Sequence, residues 1–351
     1  MQRKRVTLKD VAAHADVSRQ TVSRVINKKG NVADETRQRV QQAITELDYH
    51  PNPAARGLVH SRTNSIGLVI PYTSDIFFSD PHLLRFMCGV DHVAGQRNVS
   101  LVLSTGQLCA ENESTPPDEL AAYKRLTSAG YVDGAIVIET IATQKGIALL
   151  EQLGYPWVTL GYAPPTTNGA RAVHADDYGG ARQAMMHLLS LGHRRIGVIN
   201  GTDQAPTAFR KRLIGCRQAM ADHGLTLEVD GVVEGNLTPE SGYQAAAKLL
   251  ALHPRPTAIF ALNDRMATGA LRYLREHDIP IPQRISVVGF DDIPTAEIAS
   301  LTTVRQPALE MGHQAARLLF DLMEERTLPN QPIVLPTELM VRGSTGPVAE
   351  A

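Results

Sequence analysis

The sequence predicts a chain in two parts: an all-α head of three short helices and an α/β body of two lobes, each a parallel sheet covered by helices. Three observations carry this. Over residues 7–47 the apolar residues recur at i, i+3, i+4, the period of helices with one buried face. Beyond residue 63, short and nearly continuous apolar runs alternate with helical patterns, and they do so in two successive series. The charge changes at the same place. Residues 1–62 hold twelve Lys/Arg against six Asp/Glu, the rest 23 against 30, so a net charge of −1 hides a basic head on an acidic body. That asymmetry points to a polyanion partner for the head alone.

The 351 residues, 43% hydrophobic and 20% charged, suffice for two or three domains with real cores and exclude wholesale disorder. No window approaches the ~18 uninterrupted apolar residues of a membrane span. The first residues, MQRKRVTLKD, lack an apolar signal core, so a cytoplasmic protein with no membrane contact is expected. Three widely spaced cysteines (Cys88, Cys109, Cys216) without a CxxC pair give neither a disulfide framework nor a cysteine zinc site. The motifs GxSxG, HExxH, GxxxxGK[ST] and GxGxxG are missing, so no catalytic residue, metal or cofactor is expected. His187 and His193 flank a helix end and read as part of its C-terminal cap.

In the head, Thr7 and Asp10 form a capping-box-like start. Leu8, Val11 and Ala12 then share a helix face, and Asp16-Val17-Ser18 breaks the helix. Ser18 can cap a second helix whose Val22, Val25 and Ile26 face inward, with small Ala12 and Ala13 at the helix contact. A third helix is expected over about 33–47, with Val40, Ile44 and Leu47 inward. Two helices of about two turns joined by three or four residues describe a helix-turn-helix. In such a unit the second helix enters the DNA major groove, N-terminal residues toward the bases. Here Arg19 and Gln20, with Arg24 one turn on, suit guanine and adenine edges. Ser18, Thr21, Ser23 and Asn27 suit phosphate oxygens. The following segment, YHPNPAARGLV, starts well as a helix with Asn52 as cap and Pro53 in the first position. It spans only about one and a half turns and carries Gly57, so it reads as a hinge that folds only when held.

These residues carry a specific resemblance. VTLKDVAAHADVSRQTVSRVIN followed by YHPNPAARGL resembles the lac-repressor (LacI/GalR) family of bacterial transcription regulators, along the whole chain. The resemblance implies a helix-turn-helix domain at 1–50, a hinge helix or linker at 51–62 and a two-lobed effector-binding and dimerisation domain at 63–345. It implies the type I periplasmic-binding-protein-like fold for that body. It also implies a homodimer on double-stranded operator DNA, with DNA contacts from Thr7, Ser18, Arg19, Gln20, Thr21, Ser23, Arg24, Asn27, Asn52, Ala55 and Arg56, and Leu58 wedged into the minor groove. The ending GSTGPVAEA lacks leucine heptads, so tetramers by that route are not expected.

In the body, the first series of strands is SIGLVIP, VSLVLS, VDGAIVI and PWVTLG; the second begins with RAVHAD and continues through RIGVIN, about 229–234, TAIFAL and ISVVGF. Ligands of such sheets sit beyond the carboxyl ends of the strands, which for two lobes is the cleft between them. The residues just past those ends include Tyr72, Phe77, Tyr162, Asn263, Asp264, Asp291 and Asp292, with Arg210 and Arg212 on a following helix. Asp264, between a strand and a helix, is also explained as a helix cap. Such a set suits sugar hydroxyls. By resemblance, RLIG, ALNDRMATGAL and SVVGFDD assign effector contacts to Arg212, Asn263 and Asp291, joined by Tyr72, Phe77, Tyr162 and Gln306. A family aspartate at the end of a lobe-linking strand is Gly161 here, so one hydroxyl contact is missing. A tryptophan position is Leu237 and a phenylalanine position is Ala308, which argues against lactose-type galactosides. The function expected is a DNA-binding regulator, a repressor, controlled by a small-molecule effector, a sugar, bound between the lobes. A sugar-transport protein and an enzyme on the same α/β body are the competing readings.

Overall fold

The computed structural model describes residues 6–26, 30–49, 63–70, 78–106, 118, 120–128, 130–140, 143–164, 170–203 and 205–348. The chain divides into two compact units, Met1–Thr63 and Asn64–Ala351.

In the first unit, α1 (Leu8–His14), α2 (Arg19–Ile26) and α3 (Asp34–Glu46) enclose Val11, Val22 and Val40, all without exposed surface. The Asp10 carboxylate accepts from the Thr7 backbone N–H at 2.8 Å and from its hydroxyl at 2.6 Å, fixing the start of α1. Asp16 takes a left-handed φ of 51° at the turn. Ser18 Oγ then accepts from the Thr21 N–H at 3.1 Å and starts α2. The contact differs from expectation in one residue. Ala12 is buried but Ala13 is exposed, and Ala15 is the second small residue inside. One position is 100° of helix, and Ala13 lies on the outer side.

The second unit holds two six-stranded sheets. The first lobe has the order β11-β5-β4-β3-β1-β2, built from β1 (Ser65–Ile70), β2 (Ser100–Thr105), β3 (Gly134–Ile138), β4 (Trp157–Leu160), β5 (Ala172–Ala175) and β11 (Ile333–Leu335). Its helices are α4 (Pro81–Gln96), α5 (Ala121–Ser128), α6 (Thr143–Gln152) and, returning late in the sequence, α12 (Ala308–Met323). The second lobe has the order β12-β10-β9-β8-β6-β7, from β6 (Ile196–Gly201), β7 (Val232–Gly235), β8 (Ala258–Ala261), β9 (Ser286–Asp291), β10 (Thr302–Arg305) and β12 (Glu338–Met340). Around it lie α7 (Asp177–Ser190), α8 (Thr207–Asp222), α9 (Pro239–Leu250), α10 (Asp264–Glu276) and α11 (Pro294–Ile298). Among the described residues, all strand pairings are parallel except β10 with β12. Strands such as β3 and β9, buried at every position, account for their unbroken apolar runs.

One assignment is corrected. RAVHAD was expected to open the second series, but β5 completes the first sheet, pairing Leu160 with Val173 and Val173 with Ile333. An apolar run records burial and does not record which sheet provides it. The chain therefore crosses between lobes just after β5, again between β10 and α12, and a third time between β11 and β12. These three crossings bring the carboxyl ends of both sheets to face one cleft. The helices α4 and α12 touch at Gly89 and Gly312, where a Cβ on either would fall within 2.2 Å of the other helix's backbone.

Candidate functional site

In the first unit, α2 presents Arg19, Gln20 and Arg24 to solvent while Val22 anchors the opposite face. Ser18 and Thr21 are linked by their hydroxyls at 2.9 Å; Thr21 and Ser23 are half-buried, and Thr7 is exposed. The structure thus brings the expected base-reading trio onto one exposed helix face. Asn27, Asn52, Ala55, Arg56 and Leu58 lie outside the described residues, as do Tyr72 and Phe77 of the expected effector site.

In the second unit, a cavity of about 110 Å³ lies between the lobes, and Tyr162, Arg212, Asn263, Asp291 and Gln306 all line it. Arg212, 4% exposed, is its hub. Its Nε donates to Asp177 Oδ1 at 2.7 Å; its Nη1 donates to the Leu262 carbonyl at 2.6 Å and, more weakly, to Asp291 Oδ1 at 3.4 Å. The guanidinium lies 3.8 Å above the Phe290 ring. Gln306 Nε2 donates to Asp291 Oδ1 at 2.7 Å and stands 3.1 Å from His82 Nε2. Burial pushes the Asp291 carboxyl up to about 6, with Arg212 and Gln306 opposing the shift. Burial also pushes the His82 imidazole down to about 4, so it is neutral at pH 7. Asp291 itself sits at φ 116°, a conformation L residues rarely adopt, which aims its carboxylate into the cavity.

Asn263 has a divided role. Its Oδ1 accepts from the Met266 N–H at 2.9 Å and caps α10, while the residue lines the cavity. The helix cap considered for Asp264 therefore belongs to its neighbour. Asp264 is fully buried, accepts from the Thr303 hydroxyl at 2.6 Å and the Ile293 N–H at 2.9 Å, and ties α10 to β10. Its carboxyl is raised well above the usual range by burial and by the nearby Asp291 charge. Asp292 pairs with Arg305 and Arg342, each at 2.7 Å, and holds the second lobe together outside the cavity. His193 is likewise structural, held by Thr257, Ser286 and the Gly346 carbonyl.

Six polar cavity residues do not stand out in the sequence: Asp80, His82, Glu139, His174, Asp177 and Arg265. Glu139 follows β3 directly, so the strand-end rule applied there would have found it. It fills the space of the missing aspartate. Gly161 has φ +117°, and a Cβ there would fall 2.5 Å from the Glu139 Cβ and 2.8 Å from Oε2. A carboxylate is therefore present at this point of the cleft, supplied by the neighbouring strand. Glu139 accepts from the Tyr162 N–H at 2.7 Å and from the Thr207 N–H of α8 at 2.9 Å, so it joins the first lobe to a helix start of the second. Burial holds its carboxyl above the ordinary value. Tyr162 donates its hydroxyl to Asp177 Oδ2 at 3.1 Å and stacks on His174 at 4.1 Å, so one ring face is already covered. Asp80 and Arg265 form a further bridge across the cleft at 3.5 Å.

Comparison with known proteins agrees with both units. The profile "Bacterial regulatory proteins, lacI family" matches residues 7–52, and "Periplasmic binding protein-like domain" matches residues 185–345. The regulator CelR of Thermobifida fusca is 37% identical over 345 residues, covering 97% of this chain and 99% of that one.

This chain belongs to the LacI family.

It is a DNA-binding transcriptional regulator, as are its relatives, and they are regulators rather than enzymes. The purine repressor PurR of Mannheimia succiniciproducens is 33% identical over 348 residues, 98% of this chain and 99% of that protein. Among solved structures, the lac repressor dimer bound to operator and the anti-inducer ONPF superposes with a TM-score of 0.84 at 28% identity, covering 98% of this chain and all of that one. The CelR–cellobiose complex gives 0.73 at 35% identity over 97% of this chain and all of that one. No helix among the described residues is long and apolar enough to cross a membrane.

Proposed function

We propose that this LacI-family regulator is a cytoplasmic homodimeric repressor that reads its operator with Arg19, Gln20 and Arg24 and releases it when a sugar binds between the lobes of the body. It performs no catalysis. The single observation that carries the effector reading is the convergence of Arg212, Asn263, Asp291, Gln306 and Tyr162 on one cleft cavity. These groups come from five separate stretches of sequence. They hold carboxylates and amides at fixed positions, an arrangement suited to hydroxyl groups. The lining carries Asp80, Glu139, Asp177 and Asp291 against Arg212 and Arg265, which favours an uncharged ligand over a phosphorylated one. The CelR–cellobiose complex makes cellobiose the first sugar to test.

Control works through the contacts that bridge the lobes. Glu139 to Thr207, Tyr162 to Asp177 and Asp80 to Arg265 tie the cleft closed. A ligand shifts the balance of closed and open forms only by binding one of them more tightly. A thermal-shift panel of sugars on the full-length protein tests this, since a ligand at 100 times its Kd adds about 2.7 kcal/mol of stability. The sugar that binds is then added to an operator complex. Loss of the complex is expected; tightening of it would make the sugar a corepressor, and unchanged binding would overturn effector control.

A further inference from the structure

The cleft has two compartments, and the second is larger than the first. Beyond the cavity around Arg212 lies another of about 370 Å³, lined by Thr140, Thr143, Asn200, Thr202, Asp203 and Arg210 among others. The two share Glu139, Tyr162, Pro206 and Phe209, which form a partition between them. The sizes matter. The inner cavity, at about 110 Å³, is smaller than the roughly 150 Å³ void that holds a benzene molecule, so it takes no more than one ring, and that only with some opening of the lobes. The outer compartment falls within the roughly 300–1,000 Å³ of small-molecule sites.

The outer compartment also contains an unmet hydrogen-bonding group. Asn200, at the carboxyl end of β6, has a buried Oδ1 with no hydrogen-bond partner among the described residues. A buried acceptor without a donor is costly, and a ligand hydroxyl placed against it would remove that cost. Around Asn200 the lining is hydroxyl-rich, while Phe209, Pro206 and Tyr162 offer apolar surface at the partition. Hydroxyls on the rim of a ring and C–H groups on its face match such a lining.

We propose that the effector is an uncharged oligosaccharide of at least two rings, with one ring in the inner cavity, the next in the outer compartment against Asn200, and the glycosidic linkage passing the Glu139–Tyr162 partition. This rests on the reading of the cleft as a sugar site and adds its ligand class. Glu139 is then the acceptor beside the linkage, and the partition orders the two rings relative to one another.

The test is calorimetric titration of the full-length protein with gluco-, galacto-, manno- and xylo-monosaccharides and with the β- and α-linked disaccharides of each. The expected result is that the tightest sugar is a disaccharide, bound at least tenfold more tightly than its constituent monosaccharide. A monosaccharide binding as tightly as any disaccharide overturns the two-ring proposal and leaves the sugar reading standing. No heat with any sugar overturns the sugar reading itself. Two variants locate the second ring. Asn200→Ala should narrow the disaccharide-to-monosaccharide preference at least fivefold. Thr202→Trp, at an exposed position on the rim of the outer compartment, should narrow it further by filling the space. Equal weakening of both sugars by both variants places the second ring elsewhere and overturns the proposal.

Discussion

The DNA-reading head and the effector cleft solve opposite problems. In the head, the proposed function is outside and structure is inside: Arg19, Gln20 and Arg24, the proposed base readers, are exposed, and among the described residues the buried set is wholly apolar apart from the Tyr49 hydroxyl. In the cleft the two are merged. Arg212, Asp177, Asp291 and Gln306 are buried polar groups that tie elements of the second lobe and its crossing segment to one another and also line the inter-lobe cavity. The difference teaches where substitutions separate binding from stability. In the head a functional side chain is removable at little cost to the fold. In the cleft, removing one leaves its partners buried and unsatisfied.

The strongest break of this contrast is at Arg212. Arg212→Ala should destabilise the protein by ~3–5 kcal/mol in urea unfolding, because Asp177 and Asp291 lose their buried cation. Adding Asp177→Asn and Asp291→Asn should recover part of that loss. A single variant as stable as the parent would mean the cleft charges are not coupled to the fold.

A pH series sharpens the same point. Asp291, whose folded value of about 6 lies above the ordinary carboxylate value, stays protonated in the fold while the unfolded chain ionises. Its contribution therefore favours folding at low pH and is lost as pH rises through about 4 to 6. His82, whose folded value of about 4 lies below the ordinary imidazole value, acts oppositely: its contribution is present above about 6.5 and is lost as pH falls toward 4. The two offset in the parent. Asp291→Asn should therefore lose stability more steeply than the parent between pH 6.5 and 4, and His82→Gln less steeply, in thermal melts. Parallel curves for all three would show that neither group titrates in that window.

In the head, Arg24→Ala should cost ~1–3 kcal/mol on operator and much less on random DNA at one salt concentration, with the melting temperature unchanged. Equal losses on both DNAs would make Arg24 a phosphate contact. The smallest effect is expected at Ser18, where loss of the cap on α2 in Ser18→Ala should cost about 1 kcal/mol of head stability. This is readable as faster amide exchange in α2.

The head was legible because its information is local. Thr7 with Asp10, Ser18 with Thr21, and the spacing of Val22, Val25 and Ile26 lie within a few residues of each other, and helix geometry converts that spacing into a face. Even there a 100° step was misjudged at Ala13. The strands of the body were legible for a similar reason, since burial on both faces leaves an unbroken apolar run. The carboxyl-end rule places Arg212, Asn263 and Asp291 near one crevice from their order in the sequence alone.

The amino-acid sequence by itself thus determined the two-part architecture, the family, the exposed polar face of α2 and the position of the cleft. Tertiary structure decided the rest. The sheet to which β5 belongs is set by its pairing with β4 on one side and with β11, some 160 residues on, on the other. That Glu139 fills the space beside Gly161 depends on the neighbouring strand's register, and that Asp264 is a buried tie and not a cap depends on β10. Arg212 meets Asp177 and Asp291 across 35 and 79 residues of chain. Side-chain periodicity extends only along one element, so contacts set by three crossings between lobes leave no periodic trace in the order of the residues.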